Sequence, residues 1–524
     1  MISSVSHRTA TIAFTFLLVT GFWAPTNLAS AESAQNFYAQ GVNAQWKWDL
    51  DTAIMLYTRA LALNPNMPRA AFNRGVAYRS LNDEERALAD FTRALTLDPK
   101  FADALAARAA VYLKRKVYDK AIADLNKAIE LRPEDATALR GRAEADLALG
   151  NPEQAKNDID RALKLNPQDS HSYFVRAEAN RSLGNKADAL ADLDKTLVLD
   201  PKDAQARLRR GNLYFTEGKL RQAIDDYSHA IALDAKNAAA YNNRGMARVR
   251  AGELDAALPD FDRALALDPA FAVALKNRAA AYEQMERSDS ALSDYTRLLT
   301  LTPSDPAVYV ARGKLFLETG KINEAIQDLS KALQMEPESS EALALRGRGE
   351  VMLGQAKQAL SDLDASLTID PNNVQAWIYR GTAHEALKSY DKAVADFSRA
   401  VSLDPASATT GLYYQLAKNQ LMTRDFDGAV RHFTKVIQME PKNGLAYANR
   451  GLAYKYKGDL PLAKADFLAA LGLLTKPSSL SYVQELLRET EAAMEPSSRP
   501  VTRSTAPPGP SSSGPGDVSA SPYW

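Results

Sequence analysis

The sequence predicts an all-α protein, an α-solenoid of stacked helix-turn-helix units, from three observations. One 34-residue phrase recurs thirteen times between Ala34 and Pro477, always with alanine at its twentieth place, from Ala53 and Ala87 to Ala429 and Ala463. The eighth place is small in every copy, glycine eight times and alanine five. Proline stands at the thirty-second place in eleven of the thirteen. Self-similarity at a fixed period means units that bury their apolar faces against one another rather than around one closed core.

Residues 1–31 precede the array and read as a signal peptide. His7 and Arg8 lead an apolar stretch from Ile12 to Ala24, and Ala29-Ser30-Ala31 offers a small-residue cleavage site after Ala31. The apolar run is too short for a spanning helix, which needs ~20 residues. No integral membrane segment is expected after signal cleavage, and the expected location is exported, periplasmic or secreted.

Repeats start near 34, 68, 102, 136, 170, 204, 238, 272, 306, 340, 374, 410 and 444. Repeat seven shows the grammar: Ala238 to Val249, a break at Ala251-Gly252, Leu254 to Leu267, then Asp268-Pro269. Apolar residues recur at helical spacing on both sides of the break. Glycine holds that break in seven repeats, as suits a left-handed helix cap, and proline ends the second helix. The small eighth, twentieth and twenty-seventh places let helix axes approach, beside larger residues such as Tyr57, Phe91, Phe261, Phe397 and Phe467. A capping helix is expected over 478–495, with Leu480, Val483, Leu486 and Leu487 on one face. The tail, 496–524, holds seven prolines and eight serines and is expected to be disordered.

The seventh place is arginine in eleven repeats: Arg74, Arg108, Arg142, Arg176, Arg210, Arg244, Arg278, Arg312, Arg346, Arg380 and Arg450. The twenty-third place is aspartate in the same eleven, from Asp90 and Asp124 through Asp260 to Asp466. Repeat one has Gln40 and Leu56 instead, and repeat twelve has Leu416 and His432. No repeat has one partner without the other, which is what a direct charge pair predicts. The step from Pro405 to Pro441 is 36 residues, so a loose joint is expected near Thr409 to Asp427.

With Tyr78, Tyr112, Tyr214, Tyr282 and Tyr454 at one further place, the phrase resembles the tetratricopeptide repeat family from Ala34 to Pro477. The resemblance implies a right-handed superhelix of about thirteen hairpins, with first helices lining a concave groove. The family's chaperone clamp, a Lys and an Asn four apart, is not reproduced, because Lys276 is followed by Ala280.

Lys+Arg and Asp+Glu both number 64, and this neutrality argues against nucleic-acid partners. There is no cysteine, which excludes disulfides and thiolate metal sites. His171, His229, His384 and His432 fall in four separate repeats, so no catalytic residues, metal site or cofactor are expected. What remains is binding, at first-helix places that vary between repeats. The candidates for a peptide-binding groove are Phe72, Asn73, Arg140, Phe174, Arg209, Asn212, Asn242, Asn243, Lys276, Asn277 and Tyr379. Asparagine amides suit an extended peptide, offering both donor and acceptor to its backbone. The function expected is a non-catalytic protein-interaction scaffold of the bacterial cell envelope, binding proteins or peptide segments. Alternatives are an envelope assembly factor for polysaccharide synthesis or export, or a cytoplasmic scaffold if the signal is not used.

Overall fold

The computed structural model describes residues 26–495, with side chains from Ser33. Residues 1–25 of the expected signal and the tail from 496 lie outside the described residues. The first helix, Thr26–Trp46, runs through the expected cleavage point. The described residues form 27 α-helices and no strand, and none of these helices is long and apolar enough to cross a membrane. They divide into two compact units, up to Ala251 and from Gly252. The first helix of repeat seven, Ala238–Arg250, closes one unit, and the second, Leu254–Leu267, opens the other.

Local chemistry sets the length of each helix. In repeat two the helices are Pro68–Ser80 and Glu84–Leu97. Pro68 opens the first, where its missing N–H is no loss. Asp83 caps the second by accepting from the Arg86 amide at 3.1 Å. Asp98 then leaves the helix in an extended conformation and accepts from the Lys100 amide at 3.0 Å, a turn that Pro99 fixes. Between the helices the fifteenth place has positive φ in every repeat. Seven of these residues are glycines, and six are Trp48, Asn82, Lys116, Glu286, Lys388 and Arg424, with φ of 56–62°. The left-handed turn is thus a property of the hairpin, and glycine relieves it in only about half the copies.

Packing between the paired helices explains the small eighth place. A Cβ on Gly75 would stand 2.8 Å from Cε1 of the buried Phe91, and one on Gly381 would stand 2.7 Å from Cε1 of Phe397. Repeats three to five carry Ala109, Ala143 and Ala177 there, together with the narrower Leu125, Ile159 and Leu193. The alanines of the twentieth place are fully buried, as Ala53, Ala87 and Ala429 show at 0% exposure.

Repeat twelve accommodates its two extra residues and its missing ion pair locally. The two extra residues are absorbed in the loop between Leu403 and Thr410, where Thr409 caps the next helix. Leu416 takes the arginine's place and is buried in a continuous apolar cluster with Phe397, Phe433 and Phe467. Gln420 Oε1 lies 2.7 Å from Nδ1 of His432, and Tyr413 stacks on the imidazole. Burial holds His432 below its ordinary pKa, favouring the neutral ring that this pocket suits. An apolar and amide arrangement of similar volume replaces a buried ion pair without a structural gap. The final helix, Pro477–Met494, buries Val483 and Leu486 against the same cluster, and Leu487 packs beside them.

Candidate functional site

In ten repeats arginine seven and aspartate twenty-three meet as a two-pronged pair. In repeat two, Arg74 Nε donates to Asp90 Oδ2 and Nη2 to Oδ1, both at 2.7 Å. Arg312 and Asp328 do the same at 2.7 and 2.9 Å, and Arg450 and Asp466 at 2.8 Å twice. Arg244 and Asp260, expected to form another such pair, belong to different units. The aspartates are buried except for the half-buried Asp362, and their hydrogen bonds raise the arginine pKa values, as at Arg74 and Arg450.

A third bond, not evident from the spacing of the pair, completes the arrangement. Nη1 of each arginine donates backward to the twenty-fifth place of the preceding repeat: Arg74 to Thr58, Arg142 to Asn126, Arg210 to Asp194, Arg346 to Ser330. The pairs therefore tie each hairpin internally and also to its neighbour. A signal was present. The twenty-fifth place is Thr, Asn, Asp or Ser in the first twelve repeats and turns to Leu468 only in the last. A cation so paired offers little to an anionic ligand.

The variable first-helix residues gather into a polar strip within the first unit, on Ala136–Ala148, Ser170–Ser182, Ala204–Thr216 and Ala238–Arg250. Arg140 contacts Asp169 and Glu144, whose Oε1 also lies 2.9 Å from His171 Nε2. Arg209 Nε stands 3.5 Å from Glu178. At the end of the strip Asn242 Nδ2 donates to Asn243 Oδ1 at 3.1 Å, and Asn243 Nδ2 donates to Asn212 Oδ1 at 2.9 Å. The Tyr227 hydroxyl donates to the same Asn212 oxygen at 2.9 Å. Asn212 Oδ1 is thus doubly engaged and its orientation fixed, while its Nδ2 donates to no described residue.

Models described as "Tetratricopeptide repeat" match residues 68–101, 109–180, 238–271, 276–340, 310–373 and 344–408, and one described as "TPR repeat" matches 211–252. Together they span more than half of the 524 residues. The chain belongs to the tetratricopeptide repeat family. No curated protein sequence matches it. Among solved structures, a chain of the APC/C hetero-tetramer Cut9–Hcn1 is 16% identical, with 81% of this chain and 97% of that one covered and a TM-score of 0.43. YrrB, described as a TPR protein with an unusual peptide-binding site, is 24% identical, with coverages of 35% and 95% and a TM-score of 0.30. A tetratricopeptide repeat protein from Parabacteroides merdae is 22% identical, with coverages of 48% and 98% and a TM-score of 0.37. Tetratricopeptide repeat proteins bind other proteins or peptides, and the family is generally non-catalytic.

Several expected groove residues of this tetratricopeptide array have other duties. Asn242 is 5% exposed, so it orients Asn243 and is not available to touch a ligand directly. Phe72 is half-buried between Phe91 and Phe101, with ring centres 5.8 and 4.8 Å away, and serves the core. Phe174 packs on Leu193 and Leu197, and Tyr379 on the clusters around Leu363 and Leu367. Asn73 Nδ2 donates to the Tyr38 hydroxyl of the preceding repeat at 3.3 Å, as Asn449 does to Tyr414 at 2.7 Å. Lys276 is exposed on the first helix of repeat eight, beside Asn277, and both belong to the second unit.

Proposed function

We propose that this chain is an exported, non-catalytic scaffold of a bacterial cell envelope that holds an extended protein segment along the polar strip of its first unit. The observation that carries the reading is Asn212. Its carbonyl is locked by Asn243 and Tyr227, which leaves the amide N–H groups of a pre-oriented side chain without a described partner. A peptide backbone carbonyl is the natural acceptor, since a fixed donor gives up little conformational entropy on binding. Arg140, Glu144, Glu178 and Arg209 place both signs of charge along the same strip and would select a segment of mixed rather than single-sign charge. The signal-like start of the sequence supports the envelope assignment.

The test is a photo-cross-linking amino acid placed at position 212 in the native host. The expected result is a defined protein adduct in the envelope fraction, on a chain whose N-terminal residue is Glu32. Absence of any adduct argues against the strip, and an intact Met1 on a cytosolic chain argues against export.

A further inference from the structure

Six repeats carry an aromatic ring at the eleventh place of the first helix, and each ring lies beside the arginine of its own repeat. The guanidinium carbon is 6.0 Å from the ring centres of Tyr78 and Tyr112, 5.8 Å from Tyr214 and Tyr282, 5.6 Å from Phe316 and 5.9 Å from Tyr454. These rings shield the ion pair, and the six arginine side chains are only 16–20% exposed. In repeat five the eleventh place is Asn180, and Arg176 is 26% exposed. Arg176 does hold a ring from the fourth place, Tyr173 at 5.4 Å. Arg450 shows that both places can be filled together, by Tyr447 at 5.6 Å and Tyr454 at 5.9 Å. Beside Arg176 the second place is a cavity, lined by Lys156, Arg176, Asn180, Asp188, Ala191 and Asp192.

The polar groups of that wall specify what fits. Its cations are already engaged, Lys156 with Asp160 at 3.1 Å and Arg176 with Asp160 and Asp192. Its unengaged groups are acceptors. Asn180 is 2% exposed, and its Nδ2 donates to Asp192 while its Oδ1 has no hydrogen-bond partner. Repeats two and three place Arg86 and Lys120 over the same ring, 4.5 and 5.8 Å from its centre. Repeat five has Asp188 at that nineteenth place, an exposed carboxylate. An acid thus stands in place of those two cations, where a hydroxyl on a ring could donate.

We infer that the cavity of repeat five is a docking site for a phenolic ring, a tyrosine side chain presented by a partner protein. The ring lies against the Arg176 guanidinium, where the attraction of a cation for a π face holds it. Its hydroxyl donates to Asp188. The site uses the twenty-first place of repeat four and both helices of repeat five, none of which belongs to the asparagine end of the strip, so its test is independent of the proposed peptide reading.

The probe is p-cresol, titrated against the full chain and followed by ligand-observed NMR. Binding to the wild-type chain is expected, weakened at least tenfold by Asn180→Tyr, which fills the cavity from within. Ala191→Phe, on an exposed helix position, narrows the mouth and is expected to weaken binding similarly, so the test survives a folding defect in the first variant. Asp188→Asn is expected to weaken p-cresol and leave toluene unchanged. No binding to the wild-type chain, or equal binding to both filled variants, overturns the site. Toluene binding as tightly as p-cresol overturns the phenol assignment.

Discussion

Replacing Arg312 by leucine should unravel repeat nine more than replacing both members of its ion pair. Asp328 is 7% exposed and accepts both prongs of the guanidinium, at 2.7 and 2.9 Å. Arg312→Leu leaves that carboxylate buried without its counter-charge, a loss of about 3–5 kcal/mol for a desolvated pair. Arg312 keeps 17% side-chain exposure, so water can partly replace it and the lower end, about 3 kcal/mol, is expected. Thr296 also loses its bond from Nη1 at 3.0 Å, but its hydroxyl is exposed and turns to solvent. The double variant Arg312→Leu, Asp328→Leu removes both charges and should lie within about 1 kcal/mol of wild type. Repeat twelve already uses Leu416 in the arginine's place within a filled core. The assay is native-state hydrogen exchange of the amides in Pro306–Glu318 and Ile322–Met335, since a repeat array can open locally before it unfolds. A coupling energy of about 2 kcal/mol or more is expected. A double variant that costs the sum of the two single variants, with coupling near zero, would refute the pairing argument.

Three further outcomes follow from named contacts. Gly381→Ala should destabilise repeat eleven by about 1–3 kcal/mol, because its Cβ would meet Phe397 at 2.7 Å; adding Phe397→Leu should recover most of this in a thermal melt. Lys388→Gly should stabilise by about 1 kcal/mol in the same assay, because its φ of 58° is unfavourable for any residue with a Cβ. Glu350 is 3% exposed, its Oε2 has no hydrogen-bond partner, and burial, then the charge of Asp362, raises its pKa above the ordinary 4.5. A raised folded pKa means stability that is full below 4.5 and lost as pH rises through the folded value. Glu350→Gln should therefore raise the melting temperature at pH 7, with the gain vanishing below pH ~4.5; a gain that persists in acid would contradict the assignment.

The period and the charge pairs were legible because they recur at one spacing, and a contact repeated along a chain writes itself as covariation. The backward bond from Nη1 was legible in principle, since the twenty-fifth place is polar wherever an arginine follows it, although Ser398 is polar before Leu416 too. It was harder to see because the partner lies in another repeat and four residue types satisfy it. The candidate site was less legible. Asn242 and Asn243 are neighbours in sequence, yet only the structure shows that the helix turns one inward to orient the other. Phe72 and Phe174 vary like ligand-facing residues, but their rings fill gaps between helices that no spacing reveals. The left-handed turn was read from its glycines alone, although Lys116 and Glu286 adopt it too, held by the hairpin on either side.

The central claim is that the repeated residues hold the hairpins together while an irregular strip binds. It is tested most directly by the affinity of the segment cross-linked at position 212 for two double variants of the full chain. Asn212→Ala with Asn243→Ala should weaken binding roughly tenfold or more, as expected for lost hydrogen bonds at about 1–1.5 kcal/mol each, with the chain still folded. Arg312→Leu with Asp328→Leu should leave that affinity as it is. Equal affinity for the asparagine variant and wild type, or an equal loss in both variants, would contradict the separation of scaffold from site.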